Sequence, residues 1–175
     1  MNTNTTKIYI SKKTVIFIIF AVFFVALDRF MEALCLHGYF DQPVPIVGDV
    51  FTLSYVKNYY IAFSLPFSGP ILTALIGIII LILLIYWLKS IFFSNLKSPL
   101  GPSSGRRQIS NLNYTLAMLI IGAILNFTDR VQHGFVVDYF YLKYFTVFNL
   151  ADCLICFSVV CLLFFSFKKN RSAAS

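Results

Sequence analysis

From Ile71 to Leu88 the chain runs through eighteen residues without one charged side chain, with Thr73 and Gly77 as soft interruptions. An α-helix rises about 1.5 Å per residue, so roughly 20 apolar residues cross a hydrocarbon core about 30 Å thick. This run is therefore of membrane-spanning length. Three more stretches match it: residues 14–30, 108–129 and 145–167. The first has basic residues before an apolar core, as a signal peptide does, but no small-x-small cleavage site follows, so it is expected to stay as a span. Composition agrees, with 59% of the 175 residues hydrophobic and only 12% charged. That excludes a disordered chain, which needs low hydrophobicity. It also leaves too little polar surface for a soluble domain. A single integral membrane domain over residues 1–175 is expected.

The charges sort by side. Lys7, Lys12 and Lys13 precede the first span, Lys89, Lys97, Arg106 and Arg107 lie between the second and third, and Lys168, Lys169 and Arg171 follow the fourth. All seven acids (Asp28, Glu32, Asp41, Asp49, Asp129, Asp138 and Asp152) fall in the alternate segments, with Arg29, Lys57, Arg130 and Lys143. Lysine and arginine mark the cytoplasmic side, so both termini are expected inside and the acids outside. The formal charge of +7 thus reports topology and not a nucleic-acid partner.

On the outer side, residues 38–68 are rich in Tyr, Val and Phe and punctuated by Pro and Gly. Phe51–Val56 and Ile61–Ser64 suit short strands. The aromatic segment Gly134–Tyr144 suits the headgroup level as a helix or loop. Asp129 closes the third span, Asp152 opens the fourth, and Asp138 lies in the connector between them, so the three can converge. Two carboxylates brought close cannot both ionise, and such a pair can accept a proton from water with one member and donate with the other. Asn126, Asp129 and Arg130 follow i, i+3, i+4 spacing, and Asn149 and Asp152 are i, i+3. Spacing alone leaves a second account open, in which Arg130 pairs with Asp129 while Asn126 and Asn149 hydrogen-bond across helices as packing contacts. Cys153-Leu-Ile-Cys156 lacks the flanking ligands of a metal site, and no metal or other cofactor is expected. His37 and His133 belong to no His-Glu-x-x-His pattern.

Two motifs carry a resemblance. Gly122-Ala-Ile-Leu-Asn126-Phe-Thr-Asp129-Arg130 through Val136-Val137-Asp138, and Phe148-Asn149-Leu-Ala-Asp152, resemble the paired signatures of bacterial lipoprotein signal peptidases (signal peptidase II). The resemblance implies an all-α membrane protein of four spans with a small periplasmic β-cradle and a short periplasmic helix at Gly134–Tyr144. It implies an aspartic endopeptidase of the inner membrane, its active site at the periplasmic face. Such an enzyme removes signal peptides from prolipoproteins just before their diacylglyceryl-modified cysteine, and globomycin inhibits it. A monomer surrounded by membrane lipid is expected. Asp138 and Asp152 fall on the catalytic positions, Asn58, Asn126, Arg130 and Asn149 on substrate-binding ones, and Asp28 and Asp129 on supporting ones.

The chain departs from the pattern in three places. Glu32 stands where the family has Lys, Tyr60 stands at a cradle glycine, and Leu125 replaces the glycine before Asn126. A divergent member is the expectation. A catalytically silent lipoprotein-binding homologue and a small transporter or proton conductor are the alternatives.

Overall fold

The computed structural model describes residues 11–60, 68–96 and 111–174. Four long helices carry the chain: α1 (Lys12–Leu36), α2 (Pro70–Leu96), α3 (Asn111–His133) and α4 (Leu150–Ala174). All four are long and apolar enough to cross a membrane. Four short strands complete the order: β1 (Val44–Val47) and β2 (Phe51–Asn58) between α1 and α2, then β3 (Val136–Leu142) and β4 (Thr146–Phe148) between α3 and α4. They form one antiparallel sheet in the order β1-β2-β3-β4. Because α1 and α3 end where α2 and α4 begin, both strand pairs emerge at one end of the helices, and the sheet forms there.

Two expected boundaries shift for the same reason. Gly134–Tyr144 is not the short helix expected from the resemblance: residues 136–142 are a strand. The fourth helix begins at Leu150, since Thr146–Phe148 joins the sheet ahead of it. Both segments are β-branched and aromatic, types that pack well on a pleated surface. Gly134, at φ +80° with its N–H on the Arg130 carbonyl, ends α3 in a conformation that costs glycine little and lets β3 turn back. The expected strand at Ile61–Ser64 lies outside the described residues.

The packing is inverted relative to a soluble protein. Ile16, Ile19, Phe23, Ile71, Ile79, Phe157 and Phe164 are exposed along the helices, whereas Asp28, Glu32, Asn113, Asp129, Asp138 and Asn149 are buried. Lipid is as apolar as the exposed side chains, so helix association relies on close packing and on polar contacts between helices. Trp87 Nε1 donates to the Asn113 carbonyl at 2.8 Å and Ser90 Oγ to its side-chain oxygen at 2.7 Å, tying α2 to α3.

α3 and α4 approach closely at Gly122, where an added Cβ would stand 2.8 Å from the Ala151 carbonyl oxygen and 3.0 Å from Ile155. Leu125, in place of the family glycine, is buried against Ala151 and Leu154, so close packing is retained one turn earlier. Gly122→Ala should force the two helices apart, lowering stability by about 1–3 kcal/mol, read as a fall in the thermal midpoint in detergent. An unchanged midpoint would refute this role.

Candidate active site

Strand periodicity aims Asp138. Side chains alternate across β3, and Val137 and Tyr139 enter an apolar cluster with Cys35 and Phe40. Asp138 turns the other way and is 1% exposed. Asn58 Nδ2, from the end of β2, donates to its Oδ2 at 2.8 Å, and Asn149 Nδ2 donates to its Oδ1 at 3.2 Å. Asp152 arrives from the first turn of α4. Its Oδ1 accepts from Asn126 Nδ2 of α3 at 2.7 Å.

The two asparagines link the two acids. Asn149 Nδ2 donates to Asn126 Oδ1 at 2.9 Å, so an unbroken path runs from Asp138 through Asn149 and Asn126 to Asp152. Asn149 also caps α4, its Oδ1 taking the Asp152 N–H at 2.8 Å. The carboxylate of Asp152 and the residue that reads Asp138 are thus fixed by the same helix start. Burial pushes the Asp138 carboxyl up to about 8, and the Asp152 charge pushes the same way, against the pull of the Asn58 amide and Arg130.

Asp28 and Asp129 stand behind this pair. Asp129 Oδ2 accepts the Val137 N–H at 3.1 Å, and Asp28 Oδ1 accepts the Ala151 N–H at 3.2 Å and the Tyr139 hydroxyl at 2.9 Å. Burial, and then the Asp28 charge, keep the Tyr139 phenol well above its usual range and therefore protonated. Its oxygen also accepts the Leu150 N–H at 3.0 Å. Arg29 bridges the two acids, Nη2 to Asp28 Oδ2 and Nη1 to Asp129 Oδ1, each at 2.7 Å.

The spacing-based grouping of Asn126, Asp129 and Arg130 therefore does not hold as one cluster. Asn126 faces Asp152, Asp129 faces Arg29, and Arg130 reaches the sheet, with Nη2 donating to the Tyr60 carbonyl at 2.7 Å and Nη1 to that of Asn58 at 3.4 Å. The pairing of Arg130 with Asp129 is replaced by pairing with Arg29, because adjacent helix residues point about 100° apart. Among Asp129, Asp138 and Asp152, only the last two join the asparagine path.

The Signal peptidase (SPase) II family model matches residues 19–168, with every acid of this cluster inside the match. The chain belongs to the signal peptidase II family. Curated relatives agree. The lipoprotein signal peptidase of Caldanaerobacter subterraneus subsp. tengcongensis is 35% identical, over 79% of this chain and 86% of its own length. That of Streptococcus pneumoniae is 28% identical, over 91% of this chain and 97% of its own. A bacterial membrane enzyme solved by the in meso method at 2.3 Å resolution shares the fold, with a TM-score of 0.67 at 23% identity and 91% of each chain covered. This signal peptidase II family member is a multi-pass membrane protein with four candidate spans.

The family's motifs do not single out Arg29 or Tyr139, both of which the structure ties to the cluster. A sequence signal exists for Arg29. Asp28, Glu32 and Cys35 are the buried residues of α1 and repeat at i, i+4, i+7, so one stripe of a membrane helix carries two acids that need a cation nearby. Cys35 lies in the apolar cluster, and His133 Nε2 is 3.1 Å from Glu32 Oε1.

Proposed function

We propose that this chain is a lipoprotein signal peptidase in which Asp138 and Asp152 are the catalytic acids. The observation that carries the assignment is the asparagine path between the buried carboxyl of Asp138 and the half-buried carboxyl of Asp152, at the end of the helices where the sheet gathers. One proton shared between them gives a base and an acid together. The ionised member takes a proton from water as that water attacks the scissile carbonyl. The protonated member donates to the carbonyl oxygen, and a proton then passes to the leaving amine as the C–N bond breaks.

The substrate is a prolipoprotein whose diacylglyceryl chains stay in lipid while the signal helix lies against the spans. Both termini are cytoplasmic and the sheet lies at the periplasmic face, consistent with the distribution of cations. Asn58, Asn126 and Asn149 hold the acids, and Asn58 and Asn126 present their remaining amide capacity to substrate backbone. Arg130 acts at one remove, by anchoring the end of β2. The enzyme works as a monomer and is blocked by globomycin-type cyclic peptides.

The test is cleavage of a diacylglyceryl-modified precursor by purified protein in lipid or detergent. The expected product begins at the lipidated cysteine and is lost when globomycin is added. An intact precursor under all conditions would refute the proposal.

The pH dependence follows from Asp138. Below about pH 8 the pair keeps a proton to donate; above it both carboxyls ionise and the acid is gone. The rate should hold through neutral pH and fall above about 8, a value that belongs to the pair as a unit. The stability sign is also fixed. A carboxyl whose folded pKa lies above its unfolded one binds its proton more tightly when folded, so its contribution weakens as pH rises from about 4 towards 8. A rate still climbing at pH 9.5 would contradict the shared proton.

A further inference from the structure

We infer that Arg29 is the positioning residue of the aspartate pair, fastening the two carboxylates that grip the backbone immediately before Asp138 and before Asp152. The inference rests on the assignment of those two acids as catalytic. Asp129 and Asp28 each divide their oxygens in the same way. Asp129 Oδ1 accepts from Arg29 Nη1 at 2.7 Å and its Oδ2 accepts from the N–H of Val137, the residue preceding Asp138. Asp28 Oδ2 accepts from Arg29 Nη2 at 2.7 Å and its Oδ1 accepts from the N–H of Ala151, the residue preceding Asp152. One planar guanidinium therefore sets the separation of two carboxylates, and they set the placement of β3 against the start of α4.

Arginine suits this work because its fork presents fixed, parallel donors, whereas a lysine ammonium is a single point. The acids it joins are 2% and 1% exposed, so they need a paired cation in order to stay charged. Arg29 is itself steered from α1 and α3. Glu32 Oε2 lies 2.5 Å from Nη1, and Glu32 Oε1 lies 3.1 Å from His133 Nε2. The hydrogen bonds to the carboxylates of Asp138 and Asp152 come from Asn58, Asn149 and Asn126, so Arg29 acts through the backbone and not on the reacting groups. Displacing a reacting group by about 1 Å can cost about 10²-fold in rate.

The experiment compares Arg29→Lys, Arg29→Gln, the charge-relocated Arg29→Gln/Glu32→Lys and Asp138→Asn in one precursor-cleavage assay, with thermal midpoints measured in parallel. Arg29→Lys keeps the charge and loses the fork. Its kcat should fall about tenfold or more while KM stays within about threefold and the midpoint stays near wild type. Arg29→Gln should fall further. Moving the cation to position 32, where Glu32 now meets Nη1, should recover at least about tenfold of the kcat lost in Arg29→Gln. The inference is overturned if Arg29→Lys keeps wild-type kcat, if the loss lies in KM alone, or if relocation restores the midpoint without the rate. Full activity in Asp138→Asn would instead overturn the catalytic assignment, whatever the Arg29 variants do.

Discussion

Asp152→Asn is expected to bind lipid-modified precursor normally and to cut it at least about 10³-fold more slowly, within the range that positioned acid–base groups contribute. The amide has the shape of the carboxylate and keeps an oxygen for the 2.7 Å bond from Asn126, so the site should survive. What it loses is the ability to take or give the proton. Asp138→Asn should lose as much, for a slightly different structural reason. Both oxygens of Asp138 accept from amides, Asn58 on one and Asn149 on the other, so an NH2 there must turn one of those amides away. If the two acids work as one unit, the double substitution should be no more than about tenfold slower than either single one. Losses under tenfold for both single variants would contradict the assignment.

The second large effect is on stability. Asp28→Ala should destabilise the protein by about 3–5 kcal/mol, as expected when a buried charge partner is removed. The first three N–H groups of α4 are taken by the Tyr139 hydroxyl, Asp28 Oδ1 and Asn149 Oδ1. Truncation orphans the Ala151 N–H and removes the acceptor of the Tyr139 hydroxyl and one anion of Arg29. At about 2–4 °C per kcal/mol for a chain of this size, the thermal midpoint should drop by roughly 10 °C. Asp28→Asn, which keeps an oxygen for the Ala151 N–H, should lose less. A midpoint within about 2 °C of wild type for Asp28→Ala would show that Asp28 does not hold the start of α4.

The helices were legible because apolar length is a local property: eighteen uncharged residues at 71–88 need no tertiary knowledge to read as a span. The acids were legible for a related reason, since a carboxylate at a span end is costly and stands out. Their partners were not. Asp129 has Arg130 beside it in sequence, yet it pairs with Arg29 on another helix. A salt bridge across helices depends on rotation about two axes, which sequence spacing within one helix does not report. The strand at 136–142 shows the opposite failure. Its β-branched and aromatic residues carry the strand propensity, but the resemblance favoured a helix there, and β2, the strand it pairs with, lies about 80 residues away. Sequence does not distinguish Tyr139 from an interfacial anchor, because its role depends on the tertiary placement of its hydroxyl between Asp28 and the Leu150 N–H.

The most direct measurement is precursor maturation in cells whose only copy of this protein carries Asp152→Asn at wild-type abundance in the membrane. Accumulation of full-length, lipid-modified precursor is the predicted result. Maturation at the wild-type rate would contradict the pairing of Asp138 and Asp152 as the acids that cleave it.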